Sequence, residues 1–213
     1  MIIGLTGLAG SGKDTVAALL AMKGFTRYAF ADELRREVAR TLDIAQGIAK
    51  FVATADDLWD TGLALRAYGK EVSDAIHLRM LSSEMTYAKP TPPLIRELLQ
   101  RHGTEFRRTQ DPNYWVGLLM SHISAARLAY INACTDCKVP VRMEKVIISD
   151  VRFPNEAEAI RDRGGKIWRV IRPGVKPVND HSSESGQAEI VADVELVNDG
   201  TVYELALKVR DIL

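Results

Sequence analysis

The first fifteen positions constrain this 213-residue chain more than any other stretch. Met1 to Thr6 is a short apolar run. It leads straight into Gly7-Leu8-Ala9-Gly10-Ser11-Gly12-Lys13-Asp14-Thr15. Two glycines with four residues between them, followed by Lys, is the spacing of a phosphate-binding P-loop. Val16 to Met22 then read as the opening turns of an apolar helix. Strand, glycine loop, helix is the context that gives the motif meaning. Glycines let the backbone turn several N–H groups into one concave nest. The helix that follows adds its positive N-terminal end. Lys13 adds a mobile point charge suited to the outer phosphates of a nucleoside triphosphate.

The position after the Lys, where a Ser or Thr commonly serves magnesium, is Asp14, and the hydroxyl comes one later at Thr15. Two readings stand side by side. Asp14 complements the helix dipole, or Asp14 together with Thr15 also helps hold a hydrated magnesium ion. Composition narrows the partners. Lys plus Arg and Asp plus Glu both number 28, so the formal charge is zero. A general nucleic-acid binder carries a marked basic excess, and this chain has none. No stretch approaches the roughly 18 apolar residues of a membrane span. Two cysteines and the lack of a leader-like start fit a reducing cytoplasmic setting.

Further along, Phe25 to Phe30 alternates as a second strand. A helix begins near Ala31, with Asp32 as its expected N-cap. Arg35 and Arg36 lie one turn in, either as holders of an acceptor phosphate or as ordinary surface arginines. Residues 41 to 90 carry helical spacing, for example Ile44, Ile48, Phe51 and Val52, and Arg66 and Arg79 are available within them. A proline-rich break at Tyr87 to Pro93 opens an amphipathic helix, Leu94 to His102, with Arg96 and Gln100 on one face and Gly103-Thr104 as its expected end. Asp111-Pro112 start another helix running through Tyr130, with Trp115 a core aromatic on spacing alone. Cys134 and Cys137 fall in an expected loop. They lack the second pair that a zinc ribbon needs.

Lys145 to Asp150 is a continuous apolar strand ending in an acid, as buried parallel strands read. Asp150 therefore stands where P-loop enzymes keep a second acidic group, near magnesium and acceptor. Arg152 is the best placed charge for a transferring phosphoryl group. A helix follows Pro154 and ends at Gly164-Gly165, and Ile167 to Arg172 is another strand. Pro173 to Gln187 reads as a loop, Val191 to Val197 as a last strand, and Val202 to Leu213 as a terminal helix. The β-loop-α repetition predicts a three-layer α/β fold with a central parallel sheet.

Taken together, four stretches resemble the phage-type deoxynucleoside monophosphate kinase family. They are Gly10 to Thr15; Phe30-Ala31-Asp32 with Leu34-Arg35; Ile95-Arg96 through Gln100 to Gly103-Thr104-Glu105 with Tyr114-Trp115; and Asp150 to Glu156. A weaker fifth is His181 to Glu184 with Asn198-Asp199-Gly200. The P-loop is widely shared; the second pair of blocks is much more specific. The order Gly-Lys-x-Thr is also that of nucleoside monophosphate kinases.

The resemblance implies transfer of the γ-phosphoryl group of ATP, with magnesium, to a deoxynucleoside monophosphate. It implies one P-loop kinase domain, with a core at about 1–40 and 140–213 and a helical acceptor-binding lid at about 41–135. Gly10, Ser11, Gly12, Lys13, Asp14 and Thr15 would hold the ATP phosphates, and Asn198 and Gly200 would lie against the adenine. Asp32, Arg35, Arg66, Arg96, Gly103, Thr104 and Trp115 would line the acceptor. Asp150, Arg152 and Glu156 would sit at the transfer site. Lys13, Arg96, Asp150 and Arg152 would carry catalysis. Family members are often homodimers. A dephospho-coenzyme A kinase shares such a core and is the nearest alternative; a regulatory ATPase is a more distant one.

Overall fold

The structure is a computed structural model. It describes residues 1–49, 83–138, 144–176 and 182–213. Arg66, Arg79, His181 and the helical pattern of residues 51–82 lie outside the described residues. The chain forms two compact units, one of Met1–Phe30 with Val116–Leu213 and one of Ala31–Trp115.

The first unit is built on a parallel sheet of β1 (Ile2–Thr6), β2 (Thr26–Tyr28), β3 (Val146–Ile148), β4 (Lys166–Ile171) and β5 (Val194–Val197). The strand order is β2-β3-β1-β4-β5, and every pairing is parallel. Alternation along β1 separates the two faces. Ile3 and Leu5 are fully buried. They pack with Val16 and Leu20 of α1 (Lys13–Ala21) and with Leu205 and Val209 of a C-terminal helix, Val202–Ile212. Gly4, pointing the other way, meets Ile160 of the helix Pro154–Arg161. A Cβ at Gly4 would stand 2.8 Å from both Ile160 Cδ1 and Ile167 Cδ1. Helices thus cover both faces, as the apolar strands require.

The helix α2 (Phe30–Ala49) starts two residues before Asp32, so Asp32 lies inside its first turn and is not its N-cap. The capping acceptor comes from far along the chain: Asp150 Oδ1 accepts the Phe30 N–H at 2.8 Å. The strand before it is correspondingly short.

In the second unit, α3 (Pro93–Gln100) begins with Pro at its first position, where no N–H is needed. It does not end at Gly103. The chain continues helically as a π stretch, Arg101–Arg107. Gly103 serves close approach instead of termination: a Cβ there would meet Leu34 Cδ2 at 2.9 Å.

The helix α4 (Tyr114–Asp136) is longer than its sequence pattern suggests. It absorbs the expected cysteine loop, with Cys134 buried within it and Cys137 exposed just past its end, both as free thiols. Further helices among the described residues are α5 (Pro154–Arg161), α6 (Ser182–Glu189) and α7 (Val202–Ile212). Thus α6 occupies part of the expected 173–187 loop, and β5 starts three residues later than Val191. Among the described residues no helix is long and apolar enough to cross a membrane.

Candidate active site

The carboxyl ends of β1, β3 and β5 deliver the P-loop, Asp150 and Asn198, each within the first unit. Ligands of open parallel sheets bind at this edge. The loop turns on Gly7, Gly10 and Gly12, whose φ values are 138°, 78° and 103°. These are left-handed conformations in which L side chains are strained. Gly7 has a second constraint, because a Cβ there would stand 2.3 Å from the Val170 carbonyl oxygen. Gly7→Ala is therefore expected to destabilise this unit by about 2–3 kcal/mol. The check is the urea midpoint, and an unchanged midpoint would show that the loop yields without cost.

Gly12 is the N-cap of α1 and offers no side chain to the N–H groups of the first helical turn. Those donors are left to a ligand. Lys13 Nζ folds back onto the loop, donating to Gly7 O at 2.6 Å and Leu8 O at 2.7 Å. The ammonium is thereby stored against the same loop that would receive the phosphates. Ser11 is 1% exposed, and its Oγ has no hydrogen-bond partner. Asp14 is exposed in the first turn of α1, and Thr15 is half-buried beside it. A carboxylate and a hydroxyl are hard oxygen donors of the kind magnesium takes, so this pair fits the ion.

Asn198 lies directly behind the loop. Its Nδ2 donates to Ser11 O at 2.9 Å. Gly200 leaves room for the carboxylate of Glu204; a Cβ there would fall 2.2 Å from Glu204 Oε2. That carboxylate accepts the Thr201 N–H at 2.7 Å, and Thr201 Oγ1 accepts the Glu204 N–H in return. This reciprocal cap starts α7.

Asp150 is half-buried and, as described, caps α2. Glu156 is 2% exposed. Its Oε2 accepts the N–H groups of Arg152 at 2.8 Å and Phe153 at 3.2 Å. The carboxylate so fixes the turn that presents the exposed Arg152. The family resemblance implies a place for Glu156 at the transfer site; within its unit the carboxylate acts on the loop backbone.

In the second unit, Arg96 is exposed on α3; its N–H donates to Pro92 O at 2.9 Å, and its guanidinium makes no hydrogen bond or ion pair with a described residue. Arg35 is committed. Its guanidinium donates to Thr86 O and, at 3.3 Å, to Thr91 Oγ1, which ties α2 to the short 3-10 turn Ser83–Tyr87. Trp115 is 3% exposed, donates from Nε1 to Gly103 O at 3.0 Å and is packed edge-on by Tyr114 at 4.9 Å. It is a core aromatic with no face open for stacking a base. Thr104, next to Gly103 in sequence, is half-buried, and Asp32 is half-buried in the first turn of α2.

Sequence reasoning missed the polar centre of this unit. Glu37 accepts from His102 Nε2 at 2.8 Å, Arg107 Nε at 2.6 Å and Tyr114 OH at 2.7 Å. Burial alone would raise its pKa, but these three donors outweigh that and lower it to about 2. The Tyr114 hydroxyl moves the opposite way, raised by burial and then by its bond to Glu37. A sequence signal did exist: an acid three residues after Leu34 and one before Val38, beside the apolar stripe of an amphipathic helix.

A family model described as deoxynucleotide monophosphate kinase matches residues 59–209. A putative deoxynucleotide monophosphate kinase of Acanthamoeba polyphaga mimivirus is 30% identical over 213 residues, covering 96% of this chain and 91% of the relative. The deoxynucleotide monophosphate kinase of Enterobacteria phage T4 is 30% identical over 120 residues, covering 56% of this chain and 45% of that one. Among solved structures, a dephospho-CoA kinase from Campylobacter jejuni aligns with a TM-score of 0.42 at 11% identity, covering 99% of this chain and 94% of that one.

Proposed function

The chain belongs to the deoxynucleotide monophosphate kinase family, and we propose from this premise how its residues divide the work of phosphoryl transfer. The enzyme is a nucleotide kinase that phosphorylates deoxynucleoside monophosphates. In our reading the P-loop core, about 1–40 and 140–213, takes ATP, and the helical region, about 41–135, takes the acceptor. The observation that carries the donor side is the uncapped N-terminus of α1, set on a loop of three left-handed glycines with Lys13 stored against it.

The acceptor already ends in a phosphate oxyanion, so no general base is needed. An acceptor phosphate oxygen attacks the γ-phosphorus of ATP. The bond from that phosphorus to the β–γ bridging oxygen breaks, and ADP leaves. Catalysis is then positioning and charge neutralisation. Lys13 exchanges the carbonyls of Gly7 and Leu8 for β- and γ-phosphate oxygens. The N–H groups of the first turn of α1 take the remaining charge. Arg152, presented by the turn that Glu156 holds, neutralises the transferring group. Arg96, exposed and uncommitted, clamps the acceptor phosphate in the two-pronged manner open to a guanidinium. Asp14 and Thr15 are the residues that would hold magnesium, which would supply charge screening to the triphosphate. The turn at Asn198 and Gly200 lies toward the adenine, and Asp32, Arg35, Gly103, Thr104 and Trp115 shape the acceptor region around Arg96.

The test is ADP release from ATP and magnesium. Each of dAMP, dGMP, dCMP, dTMP, the four ribonucleotides and dephospho-coenzyme A is offered separately. Turnover on one or more deoxynucleotides is expected and names the acceptor. Turnover on dephospho-coenzyme A alone would reassign the acceptor, and with it the roles given to Arg96 and its neighbours.

A further inference from the structure

A loop with three glycines in left-handed conformations gives up much backbone entropy to hold one shape. Something must hold it. One limb, Gly7-Leu8, is held by Lys13 Nζ. In the mechanism above, that ammonium moves to the phosphates, so its two bonds to the loop are lost at the moment the loop must be rigid. The other limb, Ser11-Gly12, has a tie that does not depend on Lys13. Ser11 O accepts from Asn198 Nδ2 at 2.9 Å, across 187 positions of sequence. The hydroxyl of Ser11 adds nothing, since its Oγ makes no hydrogen bond.

The donor is itself fixed in advance. Asn198 N–H bonds to Ile171 O at 2.7 Å, so the residue is set at the carboxyl end of the β4–β5 pair. Next to it, Asp199 pairs with Lys208 Nζ at 2.6 Å, and the same ammonium donates to Val197 O at 2.9 Å. The capping box of Thr201 and Glu204 closes the far side of the turn. The approach to the loop is close as well. A Cβ at Gly12 would stand 2.4 Å from Asn198 Nδ2, so a glycine is what lets the carboxamide reach Ser11.

We propose that Asn198 is a positioning residue of the phosphate site. It latches the Ser11-Gly12 limb so that the N–H groups at the start of α1 stay aimed at the triphosphate while Lys13 changes partners. This role is separate from any contact of the same turn with adenine, because it acts on the phosphates of any donor. The kinetic half of the test rests on the kinase reading; the binding half does not.

Two variants are made. Asn198→Ala removes the donor without adding charge, and Asn198→Asp keeps the shape of the side chain while replacing the donor with an acceptor. Calorimetry with magnesium tripolyphosphate, which has no base, reads the phosphate site alone. Both variants are expected to bind it about 10-fold more weakly than the wild type, the size of one lost hydrogen bond. With ATP and the best deoxynucleotide, kcat is expected to fall by about 10- to 100-fold, as for a small misplacement of reacting groups. The KM for the deoxynucleotide stays at its wild-type value.

Tripolyphosphate bound as tightly by both variants as by the wild type would overturn the latch and leave Asn198 with the base alone. A wild-type protein that binds tripolyphosphate but phosphorylates no deoxynucleotide would overturn the kinase reading. The binding comparison then decides the latch by itself.

Discussion

Lys13→Met is expected to lower kcat by about 10³-fold or more while the protein stays folded, because it removes the mobile cation of the loop. Methionine has nearly the length of lysine and a similar preference for helix, so α1 keeps its first turn. Lys13 is half-buried, and its ammonium donates to backbone carbonyls of the loop, Gly7 O and Leu8 O. Those carbonyls sit in a loop at the sheet edge, where water can replace the lost donor. The loss is therefore felt in the transition state, where charge shifts onto the bridging oxygen of the leaving ADP. The measurement is kcat under saturating ATP and acceptor, beside a thermal melt. Turnover within about 10-fold of wild type would take Lys13 out of catalysis and shift its work to Arg152 and the α1 N-terminus.

The parts of this molecule that sequence made legible are those whose signal is local. Gly7, Gly10 and Gly12 declare a turn because each needs a backbone that other residues resist. The run from Val146 to Ile148 declares a buried strand because no polar residue interrupts it. The terminal acid, Asp150, and the turn at Asn198 follow from where those strands stop. What was not legible depends on partners far away in the chain. Asp32 reads as the cap of α2, yet the cap is Asp150, 120 positions beyond the Phe30 N–H it accepts. Gly103 looked like a helix end, because glycine commonly is one; the neighbouring Leu34 side chain explains it instead. Cys134 looked like part of a loop, and helix α4 simply runs on through it. Arg35 and Trp115 were expected at the acceptor by resemblance, and within their unit each is occupied with backbone: Arg35 with Thr86, Trp115 with Gly103.

The Glu37 cluster shows the same limit and allows the second large effect to be stated. Three donors reach one carboxylate from two directions in the chain, His102 and Arg107 on the π stretch and Tyr114 at the start of α4. His102 is fully buried, so removing Glu37 takes a hydrogen-bond partner from a polar ring where water does not reach. Glu37→Ala is accordingly expected to destabilise the second unit by about 3 kcal/mol, the lower end for breaking a buried pair, since Arg107 keeps some solvent. Hydrogen exchange of the amides between residues 101 and 115 is the suitable reporter, because it reads this unit directly.

The pH dependence fixes the cause. Glu37 titrates near 2 in the folded chain, against 4.5 for an ordinary glutamate. The unfolded chain therefore takes up this proton first as pH falls, and folding is favoured by the ionised form. The stabilisation is whole above about pH 5 and is lost as the pH falls from there through about 2. Glu37→Gln keeps the shape and cannot titrate. The stability difference between wild type and Glu37→Gln should then be largest near neutrality and shrink steadily as the pH falls below about 4.5. A difference that stays constant from pH 7 to pH 2.5 would show that the carboxylate charge contributes nothing and that packing of the side chain is the whole effect.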